Sequence, residues 1–274
     1  WEGVLVALLL GNILYVGFAA LAQQEIPLML GYASVMHMGY IFLAIAALIA
    51  MPSNPLAKPA AVLLMFAHGI SIALLFGLAD RIERNTGSLD FTDLGGLAKP
   101  APALAFLFGI GAMASIGLPG LANFAGEVLV FLSTFHNYNG TAGLNPVQIT
   151  CILAIWGVVI SAVYMLRAYR SIFQGPAVKS TEHAADLTFV DHIPAVLLIL
   201  ALLAGLALVG CQTQKTAAPA KVVPVQRNLA VGATPESVTK GFSGKYFVTL
   251  MGTSRKAGDG DGKIVKVDGD KVST

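Results

Sequence analysis

The sequence predicts an all-α fold: a polytopic bundle of transmembrane helices with six crossings, the fourth broken at Gly117–Gly120. Three observations carry this. Of the 274 residues, 56% are hydrophobic and only 12% charged, a balance that excludes an ordinary soluble domain. The apolar residues gather into six runs, each long enough to cross a bilayer, which takes about 20 residues per helix. The fourth run is too long for one crossing. Its length of about 35 residues would measure roughly 50 Å as one straight helix, against a hydrocarbon core of about 30 Å. Gly117, Pro119 and Gly120 interrupt it near the middle. Two half-helices can step past each other where the irregular backbone faces protein or water rather than lipid.

The first run spans about Gly3 to Ala22 and ends at the polar link Gln23-Gln24-Glu25. Pro27 opens the second, about Leu28 to Ala50, at a position where its missing N–H costs nothing. Met51-Pro-Ser-Asn-Pro55 is a turn, and the third run covers about Pro59 to Ala79. The mixed-charge, glycine-rich stretch Asp80 to Pro100 reads as a solvated connector. The fourth run, about Ala101 to Phe135, holds the break. The fifth, about Val147 to Tyr164, turns basic at Arg167 and Arg170, and Pro194 opens the sixth, Ala195 to Gly210.

Net charge is +2, and the placement of the basic residues says more. Of 17 Lys and Arg, seven precede Cys211 and none of these lies inside an apolar run. The third and fifth connections hold three each (Arg81, Arg84, Lys99; Arg167, Arg170, Lys179) and the first none; the second holds only Lys58 and the fourth none. By the positive-inside rule the odd-numbered connections are cytoplasmic, with residue 1 and the tail on the outer side.

Two units are expected: residues 1–210 as the membrane bundle, and 211–274 as a polar tail, largely disordered or a small β-hairpin module. The tail opens with the linker KTAAPAKVVPVQ, and KIVKVDGDKV alternates around Asp268-Gly269 as a hairpin would. The DGDG at Asp259 lacks the spacing and closing Glu of a calcium loop. Leu208 to Cys211 matches a lipoprotein cleavage box in letters only. Cys151 and Cys211 are too dispersed for a disulfide framework or a metal site. The chain begins at Trp1, almost directly on an apolar run, and reads as the inside of a longer protein.

Four ionisable residues remain as candidates: His37, His68, Glu127 and His136. Glu127, seven residues after the break, is the only acidic residue within a long apolar run. A carboxylate there costs roughly 2.5 kcal/mol or more on insertion scales, so a functional reading is the default. His37 lies mid-way in the second run, with Ser34 and Tyr40 on its face, and His68 mid-way in the third, with Ser71 one turn on. A single buried His is as readily a helix-packing residue. Two His and one Glu on three consecutive crossings are the usual material of a proton relay. Metal binding needs more ligands at shorter spacing. His136 sits at a segment end and reads as interfacial. No nucleotide loop, haem pair or iron–sulfur cysteine set occurs, so the chain is expected to bind no cofactor and no metal.

The blocks AQQEIPLMLGYASVMHMGY, MFAHGISIALLFGLADRIE and ASIGLPGLANFAGEVLV, in this order, resemble the second half of the antiporter-like subunits of respiratory complex I. They are most similar to the subunit M, or chain 4, family of NADH–quinone oxidoreductases. The resemblance covers about Gly11 to Gly210. It implies inverted five-helix repeats, of which the first five runs here form the second, with the sixth as the following helix. It implies a catalytic proton relay of His37, His68 and Glu127, with Glu127 exchanging protons with the outer side. It also implies other membrane-arm subunits and the bilayer as partners, a bacterial inner membrane, and NADH, FMN, iron–sulfur clusters and quinone held by other subunits. Glu rather than Lys at 127 favours subunit M over the L and N subunits and the sodium–proton antiporter subunits. Pro27 stands where the family usually has Lys, and the first repeat with its own Glu and Lys is absent, so the chain is not expected to pump alone. The alternatives are a cation–proton antiporter subunit and a non-catalytic membrane scaffold.

Overall fold

The computed structural model describes residues 2–136, 143–216, 235–240, 246–250, 263–268 and 271–273, with side-chain environments only as far as residue 207. Trp1, the linker at 217–234 and the DGDG stretch lie outside the described residues. The chain divides into two units, Trp1–Thr216 and Ala217–Thr274.

The first unit is all-helical. The opening crossing is α1 (Glu2–Gly11), a π-helical turn at Asn12–Val16 and α2 (Gly17–Ala22). The widened turn drives Ile13 fully into the bundle and lets Asn12 Nδ2 donate to the Val35 carbonyl at 2.8 Å. Ile13 needs the absent side chains of Gly39 and Gly157, where any Cβ would collide with it. Then come α3 (Ile26–Ala50), with Pro27 in its first turn, and α4 (Ala57–Thr86), which packs on α3, α5, α6 and α8. The long fourth run resolves into α5 (Pro102–Ile116) and α6 (Ala122–Thr134). After them come α7 (Pro146–Phe173), started by an Asn145–Gln148 capping box, and α8 (Phe189–Thr216). Among the described residues five helical stretches are long and apolar enough to span a membrane, and α5 and α6 are two shorter apolar helices in place of the expected fourth crossing.

Two expected boundaries move and one expected loop is packed, each for a local reason. The α4 helix continues through Asp80–Thr86 and stops only at Gly87, which takes the left-handed conformation at φ 73° that closes a helix. The rest of the Asp80–Pro100 stretch is packed rather than simply solvated. Phe91, Leu94 and Leu97 are buried, and the N–H groups of Gly96, Leu97 and Ala98 bond the carbonyls of Gln174, Ile172 and Phe173. At the other end, Pro194 lies inside α8 instead of opening it. A reciprocal cap starts that helix earlier. Thr188 N–H donates to the Asp191 carboxylate at 3.0 Å, while Asp191 N–H donates to the Thr188 carbonyl at 3.0 Å.

The first, third and fifth connections meet at one end of the bundle. Ile26 N–H bonds the Leu89 carbonyl and Phe91 N–H the Gln24 carbonyl. Arg167 donates to the carbonyls of Leu21 and Gln23 at the end of α2 and lies over the Phe91 ring at 5.5 Å. A cation at a helix C-terminus meets carbonyls with no intrahelical partner. Asp186 does the converse for α5, accepting from the N–H groups of Ala103 (2.9 Å) and Leu104 (3.1 Å). Burial by itself would raise the Asp186 carboxyl. The N–H donors of Ala103, Leu187 and Leu104 outweigh it and hold the group below the usual carboxylate range.

The second unit carries four strands, β1 (Pro235–Lys240), β2 (Tyr246–Leu250), β3 (Lys263–Asp268) and β4 (Lys271–Ser273). They pair antiparallel in chain order, with Val267 opposite Val272 in the β3–β4 pair.

Candidate functional site

The site is built around the break. The α5 helix ends in a full Schellman arrangement: Gly117 N–H bonds the Ala114 carbonyl at 3.0 Å and Leu118 N–H the Met113 carbonyl at 3.1 Å. This needs a left-handed residue, which Gly117 supplies at φ 79°. Gly117 has a second duty. A Cβ on it would overlap Oε2 of Glu127, so the bare backbone is the wall against which the carboxylate rests. Glu127 projects from α6 into the bundle and is 3% exposed.

His37, on α3, is 1% exposed. Its Nδ1 lies 2.8 Å from the Ala33 carbonyl, and a carbonyl can only accept, so Nδ1 carries a hydrogen. In the neutral ring Nε2 is therefore the free acceptor, and it points at Glu127 Oε1, 3.8 Å away. A proton shared between Glu127 and His37 has one place to go, the Nε2–Oε1 gap. At 3.8 Å the gap exceeds a hydrogen bond by about 0.8 Å, so transfer requires a small approach of the side chains or a bridging water.

His68, on α4, stacks on His37 with centroids 5.1 Å apart and rings 13° from parallel. Stacked rings present faces rather than nitrogens to each other, so no direct N–N bond links them. His68 Nε2 lies 2.9 Å from Oγ of half-buried Ser34. Ser71 Oγ donates to the His68 carbonyl (3.0 Å) and accepts from Asn123 Nδ2 (3.1 Å), which ties α4 to α6 beside the site. Among the described residues, His68 Nδ1, Asn123 Oδ1 and the Tyr164 hydroxyl are buried polar atoms without a hydrogen-bond partner, as is Arg81 Nε away from the site.

The structure thus brings together His37, His68 and Glu127. His136 follows α6, half-buried, with its N–H on the Ser133 carbonyl at 3.3 Å, and takes no part in the contacts joining the other three. Ser34 meets His68 rather than His37, whereas Tyr40 does meet His37 edge-on at 5.9 Å. Sequence reasoning passed over Asn123, although it lies four residues before Glu127 and so on the same helical face. It also passed over Tyr164, for which no spacing rule gives a signal. No group of three or more His, Cys, Asp or Glu able to hold a metal ion occurs among the described residues.

Residues 1–154 match the family model described as NADH:quinone oxidoreductase/Mrp antiporter, transmembrane. The chain is similar to the NADH-quinone oxidoreductase subunit M of Mycobacterium tuberculosis, with 33% identity over 200 residues, 73% of this chain and 34% of that protein. It is also similar to an NAD(P)H-quinone oxidoreductase chain 4 of Synechococcus elongatus, with 38% identity over 172 residues, 63% of this chain and 31% of that protein. Among solved structures it resembles a chain of respiratory complex I from Thermus thermophilus with bound NADH. The TM-score is 0.64 at 31% identity, over 74% of this chain and 40% of that one. The chain spans about a third of the length of the curated relatives it matches.

Proposed function

Because this chain belongs to the NADH:quinone oxidoreductase/Mrp antiporter transmembrane family, we propose that it carries protons through the membrane part of a quinone-reducing respiratory complex. The observation that carries the proposal is the buried cluster of His68, His37 and Glu127, with Glu127 seated in the helix break. Intramembrane His and Glu facing a bundle interior are the groups that relay protons in pumps.

The chemistry follows from the geometry. Glu127 and His37 exchange one proton across the Nε2–Oε1 gap, and water links the stacked rings of His37 and His68. Because the Ala33 carbonyl holds the Nδ1 hydrogen of His37, only Nε2 takes and gives the mobile proton. Glu127 is the outer terminal of the relay, with the basic connections on the cytoplasmic side and the tail outside. The membrane is the bacterial inner membrane, and the partners are neighbouring antiporter-like subunits and the bilayer. As a translocase subunit the chain carries no redox centre, and NADH, FMN, iron–sulfur clusters and quinone belong to other subunits.

The test is Glu127→Gln in the full-length protein, assembled with its partners in vesicles. Proton pumping falls by about tenfold or more, while electron transfer from an artificial donor is retained. Wild-type pumping by this variant overturns the proposal. A second reading, cation–proton antiport, is favoured by the antiporter half of the family description. Sodium-dependent transport by the same vesicles would select it.

A further inference from the structure

Resting on the relay just proposed, we infer that Asn123 is a positioning residue that holds the water through which His68 is loaded, with Nδ1 as the loading atom. Asn123 is fully buried in the first turn of α6, three residues inside the exposed stretch Leu118–Gly120. Its Nδ2 is committed to Ser71 Oγ, and Ser71 in turn to the His68 carbonyl. That chain fixes the amide's orientation and leaves Oδ1 as a buried acceptor with nothing bonded to it. On the His68 ring, Nε2 is committed to Ser34 and Nδ1, the nitrogen nearer its own backbone, is free.

Burying a polar atom without a partner is costly, and one water between the two removes that penalty from both. The pair sits on α4 and α6, the two helices that the Asn123–Ser71 bond clamps together. Close packing here is enforced by Gly126, whose Cβ would press on Leu64. The water is therefore held by an amide whose position is fixed on one side and by the imidazole on the other. A proton arriving on it passes to Nδ1, and the hydrogen on Nε2 leaves from the other side of the ring. No charge is created or lost beyond the proton in transit. The break thus serves both ends of the relay: Gly117 receives the carboxylate of Glu127, and Asn123, six residues later, supplies His68.

The experiment compares Asn123→Leu, Ser71→Ala and His68→Asn in the full-length assembled complex. The readouts are pumping rate, solvent deuterium isotope effect on pumping, and electron transfer from an artificial donor. Asn123→Leu keeps the branched shape and removes both the water's acceptor and the donor to Ser71. It lowers pumping by about tenfold and raises the isotope effect, because loading of His68 becomes the slow step. A loss of packing alone lowers the rate and leaves the isotope effect unchanged, which overturns the proposal. If Asn123→Leu fails to assemble, Ser71→Ala gives the reading. It removes one hydroxyl, frees the amide to turn, and raises the isotope effect; an unchanged rate and isotope effect overturn the inference. His68→Asn separates the two levels. Wild-type pumping by His68→Asn refutes the relay itself, whereas its loss alongside normal Asn123→Leu pumping refutes only the loading site.

Discussion

The imidazoles of His37 and His68 stack face to face at 5.1 Å, so the two rings cannot comfortably be cationic together. Two unit charges at that separation repel by about 3 kcal/mol at an effective dielectric constant of 20. In the proposed relay the pair therefore passes one proton at a time, in series. His37→Asn and His68→Asn each lower pumping in the full-length complex by about tenfold, and the double variant pumps no worse than the worse single one. Additive losses, measured as proton uptake per electron in vesicles, would show two parallel routes.

The same logic singles out Gly117 over Gly120. Both take positive φ, 79° and 110°, so alanine strains either backbone, by roughly 1–2 kcal/mol. Only at Gly117 does the new Cβ also displace the Glu127 carboxylate; at Gly120 it meets open space. Gly117→Ala loses pumping at unchanged electron transfer from an artificial donor. Gly120→Ala lowers thermal stability by a comparable amount and retains pumping. Equal pumping by the two variants would refute the carboxylate-wall role of Gly117.

Much of this was legible in the sequence, because a membrane imposes simple rules. Apolar run length located the crossings, the surplus length of the fourth required a break, and the cost of a buried charge singled out Glu127. What stayed hidden depends on tertiary packing. Nothing at Gly117 says that a carboxylate ten residues away rests on it. The cap at Thr188–Asp191 was masked by the louder signal of Pro194. The polar letters of Asp80–Pro100 hid the apolar set Phe91, Leu94 and Leu97, which is buried only because α7 offers free carbonyls at its end. Ser34 meets His68, and Asn123 meets Ser71, only once α3 and α6 flank α4.

Asp186 gives a pH-dependent stability. Its carboxyl is held below the ordinary value by the α5 N–H groups, so its contribution is present above the unfolded value near 4. It is lost as pH falls through the lower folded value. Asp186→Asn keeps the shape and removes the charge that caps α5, costing about 1 kcal/mol at neutral pH. In thermal denaturation of the assembled protein, the gap between wild type and Asp186→Asn closes below about pH 4. A gap that persists there would show that the charge is not what Asp186 contributes.

The central claim is that Glu127 itself takes up and releases a proton during turnover. Infrared difference spectroscopy on the assembled full-length complex, resting against turning over, reads the carbonyl band of a protonated carboxyl directly. The account predicts a band that appears or disappears with turnover in wild type and is missing in Glu127→Gln. A difference spectrum identical in the two proteins would contradict it.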